Sequence, residues 1–126
     1  MFVALAGDAD DAGRVDDVLE ERGWDNVRFI KLDVEGSEVR AVRGMPRLLA
    51  RPDGPVVYFE SNQHTLGLFG QTAEELKAEL RRFGYAVYEV RPGALLPAPE
   101  GAEQAEVVVD YLAAKRLPPG LAGWVR

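Results

Sequence analysis

The chain has 126 residues, a formal net charge of −6, 47% hydrophobic and 29% charged residues, which are values of a folded domain and not of a disordered chain. This length supports one hydrophobic core, so residues 1–126 read as a single domain. The acidic balance argues against nucleic acid or an anionic membrane as partner, and the absence of cysteine with a single His removes disulfides, thiolate metal sites, cysteine nucleophiles and histidine relays.

Helical spacing begins at Val15, Val18 and Leu19, and Gly23 is placed to end that helix in a left-handed cap. Val27 to Val34 reads as a strand rich in β-branched and aromatic residues. A short helix from about Ser37 carries Val39 and Val42 inward, and Gly44 and Pro46 break it before a second turn holding Leu48 and Leu49. Val56 to Ser61 forms the next strand. Thr72 and Glu75 make a capping box for a helix with the apolar stripe Ala73, Leu76, Leu80 and Phe83, closed by Gly84. Tyr85 to Val90 is a strand, the proline-bearing stretch from Arg91 to Gln104 is a loop, and Glu106 to Ala113 is the last strand. The final two strands lack an intervening helix and should pair antiparallel, whereas the earlier ones should be parallel with right-handed crossovers. No run approaches the ~20 apolar residues of a membrane span, and Met1 to Gly7 lacks the basic start of a signal peptide. The expected location is cytoplasmic.

The strand from Val27 to Val34 is apolar on both faces around Phe29, Ile30 and Leu32, the pattern of an interior parallel strand. Met1 to Ala6 allows one short strand before it, but a full βαβ unit takes ~30 residues. A central strand with one open side therefore predicts that N-terminal strands of a larger sheet are missing.

Chemistry concentrates in Asp33-Val34-Glu35-Gly36-Ser37-Glu38, at the carboxyl end of that strand, where open α/β sheets bind ligands. Asp33 and Glu35 lie two apart, so on an extended backbone both carboxylates project to one side. Gly36 allows a close approach of backbone to ligand, and Glu38 sits where a helix dipole favours an acid. Glu60 and His64 end the next strand and fall beside this cluster if the strands are neighbours. Asp33, Glu35 and Glu60 suit a general base or, through oxygen ligands, a divalent cation. A metal-dependent hydrolase on these three acids has no other support, and no metal is assigned. Asp8 to Gly13 starts like a calcium loop but lacks its later ligands, Ala12 and Leu19 standing at those positions, so it reads as an acidic turn. Gly67-Leu68-Phe69-Gly70 is followed by no Lys-Ser/Thr pair, and the chain has no G-x-G. Arg40, Arg43, Arg47 and Arg51 read as a solvated helix face.

Phe29-Ile30-Lys31-Leu32-Asp33-Val34-Glu35-Gly36-Ser37-Glu38 resembles the F-I-K-[IL]-D-[VI]-E-G-x-E stretch of the FkbM family of S-adenosylmethionine-dependent methyltransferases. Arg14 to Leu19 is similar to that family's T-L-D-D-L-L segment, Val39 to Leu49 to its following helix, and Pro55 to Glu60 to its fifth strand. Thr72 to Tyr88 and Asp110 to Ala113 resemble its closing elements, so the likeness spans about residues 14–115. The resemblance implies an α/β fold: a partial class I methyltransferase (Rossmann-like) sheet, its parallel strands followed by a C-terminal antiparallel hairpin. It also implies S-adenosylmethionine as cofactor and a small-molecule hydroxyl as methyl acceptor. Asp33 would stand nearest the cofactor's methyl, Glu35 and Glu60 would orient or deprotonate the acceptor, and Glu38 and His64 would help bind it. The family's Gly-rich cofactor loop and its ribose-binding acid have no counterpart here, so weak or no cofactor binding by the isolated chain is expected. A complementing N-terminal half or a second copy would then pair along the exposed central strand. The alternative reading is a non-catalytic remnant that serves as a dimerisation or binding module.

Overall fold

A computed structural model describes residues 2–6 (backbone), 15–34, 36–101 and 103–126. Its six strands form one sheet in the order β1-β2-β3-β6-β4-β5. The chain runs β1 (Phe2–Ala6), α1 (Val15–Arg22), β2 (Phe29–Asp33), α2 (Glu38–Arg43), α3 (Pro46–Ala50), β3 (Val56–Asn62) and α4 (Gln63–Leu68). It continues through α5 (Ala73–Arg81), β4 (Ala86–Arg91), β5 (Ala94–Pro97), β6 (Val108–Ala114) and α6 (Pro119–Ala122). Among the described residues no helix is long and apolar enough to cross a membrane.

The strands β1, β2 and β3 are parallel, with Val3 opposite Ile30 and Ile30 opposite Val57. Each step across the sheet goes the same way, so right-handed crossovers put the connecting helices on one face. That face holds the core: Ile30, Leu32, Val57, Phe59, Val87, Val109, Tyr111 and Ala113 pack with Val15, Leu19, Val39, Val42, Leu48, Leu49, Leu66, Leu76 and Leu80. Strand residues of the opposite parity mostly meet solvent. Lys31, Asp33 and Glu60 are exposed, and Tyr58, Tyr88 and Asp110 are half-buried.

Local chemistry explains the element ends. Gly23 has φ +65° after α1, and Thr72 Oγ1 accepts from the Glu75 amide at 3.2 Å to start α5. Pro46 opens α3 at a position where a missing amide costs no helical bond. The expected antiparallel pairing of the last strands holds for β4 and β6, with Val87 opposite Ala113.

Two expectations need correction. The side of β2 read as open is occupied by β1, because five extended residues suffice to pair a strand of five without a whole βαβ unit before it. The predicted edge of the central strand is thus covered, and the sheet's edge on that side is β1. The stretch from Arg91 to Gln104 is not wholly loop: Ala94 to Pro97 fold back on β4 as a hairpin, Val90 opposite Leu95. Gly93 at φ +67° makes that reversal, and Pro97, last in its strand, interrupts little of the ladder. The C-terminal residues cover the outer side of β5, the Leu95 amide donating to Trp124 O at 2.8 Å and the Arg126 amide to Leu95 O at 3.1 Å. The acidic turn Asp8 to Gly13 lies outside the described residues.

Candidate functional site

Leu32 stands opposite Phe59, so the next residues, Asp33 and Glu60, leave the carboxyl ends of β2 and β3 side by side on the open face. Glu60 in turn stands opposite Asp110 of β6. Strands are spaced ~4.8 Å apart, so three carboxylates cross the sheet in one row. Tyr58, one pair back along the same face, donates its hydroxyl to Asp110. Burial first, then that bond and the charges of Asp110 and Glu60, push the Tyr58 phenol up to about 12.

Glu38 is placed differently. It opens α2 on the covered side, only 4% exposed, and its Oε2 has no partner. Burial raises its pKa above the ordinary value, while hydrogen bonds from the amides of Glu38, Gly36 and Val34 act the other way and the charge of Asp33 adds to the rise. Glu35 lies outside the described residues. His64 is exposed in the first turn of α4, where its amide donates to Asn62 Oδ1 at 3.0 Å, and no described contact ties its ring to the acids. Among the described residues no group of three acids or histidines is arranged to hold a metal ion.

Gly36 has a different use from the one expected. It adopts φ +97°, and an added Cβ would come within 2.6 Å of the Thr65 carbonyl carbon and 3.1 Å of the Phe69 ring. The close approach is therefore to α4 of the same chain. It locks the turn after β2 against the helix after β3, which brings the two sequence clusters together.

The family model described as the methyltransferase FkbM domain matches residues 11–87. The chain belongs to that family. The match covers β2, the turn 33–38, β3 and α5, the elements that carry the resemblance and bring Asp33 beside Glu60. Comparison with curated proteins and with solved structures returned no match.

Several residues of this FkbM domain were not found by sequence reasoning. Asp16, 9% exposed, accepts from the amides of Arg47 at 2.7 Å and Leu48 at 3.2 Å and so caps α3, whose own N-cap, Met45, has no side-chain oxygen. Three of the four arginines in the row, though exposed, are engaged: Arg43 with Glu79, Arg47 with Asp16, Asp17 and Glu20, and Arg51 with Asp25 O. A buried chain of polar groups lies behind the end of β3. Lys77, 2% exposed, pairs with Glu74 and lies 5.5 Å from the Tyr111 ring centre. The Tyr111 hydroxyl donates to Gln104 Oε1 at 3.2 Å. Gln104 Nε2 donates to Ser61 O at 3.0 Å, Glu106 O at 2.7 Å and Val107 O at 3.1 Å. Only the position of Lys77 next to Leu76 in an apolar stripe hinted at this network.

Proposed function

We propose that this FkbM domain transfers a methyl group to a hydroxyl oxygen, with Asp33 and Glu60 beside the reacting atoms. The observation that carries this reading is their adjacency at the ends of two parallel strands on the uncovered face, within the matched segment. Family membership points to S-adenosylmethionine, and the row Asp33, Glu60, Asp110 suits the positive charge of its sulfonium. The chain has no G-x-G turn to take the cofactor's amino-acid end, so the fit is to its reactive centre alone. When bound, such a cofactor supplies an electrophilic methyl group.

The chain's own residues do the rest. A carboxylate of Asp33 or Glu60 accepts a hydrogen bond from the hydroxyl, fixes its direction and takes its proton as the oxygen forms its new bond. Tyr58, held protonated by burial and by its bond to Asp110, remains a neutral wall of the site up to strongly alkaline pH.

The test is a titration of the 15N-labelled chain with S-adenosylmethionine. Expected are saturable shifts of the backbone amides at Asp33, Gly36, Glu60 and Ser61, with millimolar affinity, lost in Asp33→Asn. Absence of those shifts at saturating cofactor overturns the methyltransferase reading. The dimerisation module would then stand on the β1 edge, five apolar residues without a charge, at the one end of the sheet order that the C-terminal residues do not cover. A monomeric mass by sedimentation would remove that second reading.

A further inference from the structure

The row Asp33, Glu60 and Asp110 meets the cofactor's positive sulfonium and gives its amino-acid end no partner. That end carries a carboxylate, and the open face supplies one cation. Lys31 of β2 stands opposite Tyr58 of β3, Tyr58 opposite Leu112 of β6, and Leu112 opposite Tyr88 of β4. This second row lies one step back from the acids on the same face. At the open-face positions of these four strands Lys31 is the one basic residue.

The local sequence does not call for a cation there. Lys31 is the middle residue of β2, between Ile30 and Leu32, each 1% exposed. A β-branched or aromatic side chain suits such a position better. Lys31 is exposed, and no hydrogen bond or ion pair engages its ammonium among the described residues. Asp33, the only acid of β2, competes for it weakly, because exposed ion pairs are worth little. The sulfonium also engages Asp33 once the cofactor is bound.

Spacing agrees with charge. Lys31 and Asp33 are two residues apart, roughly 6.5 Å along the strand, and a Lys ammonium rides on a flexible stem. In the cofactor four bonds separate sulfur from the carboxyl carbon, about 5 Å extended at roughly 1.5 Å a bond. A cofactor with its sulfonium at Asp33 and Glu60 can therefore set its carboxylate at Lys31.

We infer that Lys31 binds the carboxylate of S-adenosylmethionine, in the role a G-x-G turn would otherwise fill; this rests on the methyltransferase reading. The test titrates the 15N-labelled full chain with S-adenosylmethionine and with decarboxylated S-adenosylmethionine, at ~0.15 M salt. Net charge alone favours the decarboxylated analogue, since the face carries three acids against one Lys and the analogue lacks the negative group. A carboxylate bound at Lys31 reverses that order. Expected is about threefold tighter binding of S-adenosylmethionine by the parent chain. Lys31→Gln should bind the analogue at least as tightly as the cofactor, whereas Lys31→Arg, which keeps the charge, should keep the parent's order. Both substitutions are at an exposed position, and unchanged melts would show that both variants fold. Equal or tighter binding of the analogue by the parent, or the parent's order preserved in Lys31→Gln, would overturn the inference while Asp33 kept its place at the sulfonium. Absence of shifts at Asp33 and Glu60 from either ligand would overturn the methyltransferase reading and this assignment with it.

Discussion

Replacing Asp16 by alanine removes the acceptor of two amide bonds at the start of α3 and leaves both amides near the core. The expected cost is about 1–2 kcal/mol, measurable as a lower urea midpoint with an unchanged slope. Glu38 gives a prediction of opposite kind. Its pKa is raised above the ordinary 4.5, so the native state holds this proton more firmly than the unfolded chain does. Its favourable contribution is complete below pH 4.5 and is lost as pH rises through the raised value. Glu38→Gln has no such titration. Denaturation at pH 4 and pH 7 should therefore show the variant gaining on the parent at the higher pH, and a constant difference would disprove the assignment. At this scale the sequence marked Asp33, Glu60 and Glu38 as acids at an element's end but could not rank their exposure, because exposure depends on which face the helices cover.

Between elements, the contact that fixes the site is Gly36 against α4. Its φ of +97° already disfavours a side chain, and the space for one is filled by the backbone of Thr65. Gly36→Ala should cost about 2 kcal/mol or more, seen as a drop in Tm. Amide shifts in the variant should spread from the 33–38 turn into α4; a change confined to the turn would show that the two segments are not coupled. The breaks at Gly44 and Pro46, the Thr72 cap and the Gly23 and Gly84 turns were legible because each rests on bonds within a few residues. The helix α4 was missed because its N-cap is Asn62, a strand residue whose Oδ1 accepts from His64 and Thr65. The β5 hairpin was hidden by prolines at Pro92, Pro97 and Pro99, which read as loop.

For the molecule as a whole, alkaline pH tests the core and the open face together. Tyr58 and Tyr111 are each pushed up to about 12, both by burial first. Their raised values mean that stability is intact below the ordinary phenol value near 10 and is lost as pH climbs toward 12. Denaturation midpoints should fall steeply over that window, and Tyr58→Phe should flatten part of the fall; an unchanged profile would show that Tyr58 is not held as described. By itself the sequence determined the alternation of helices and strands, the family and the end of the sheet where the acids lie, since hydrophobic period, caps and the F-I-K-L-D-V-E-G run are local patterns. The tertiary structure alone decided that β1 covers the side of β2, that Asp33 and Asp110 flank Glu60, and that Lys77, Tyr111 and Gln104 meet behind the end of β3. Those are matters of strand order and register, set chiefly by pairings such as Phe2 with Phe29, 27 positions apart, and Glu60 with Asp110, 50 apart, and no short window of sequence contains both partners.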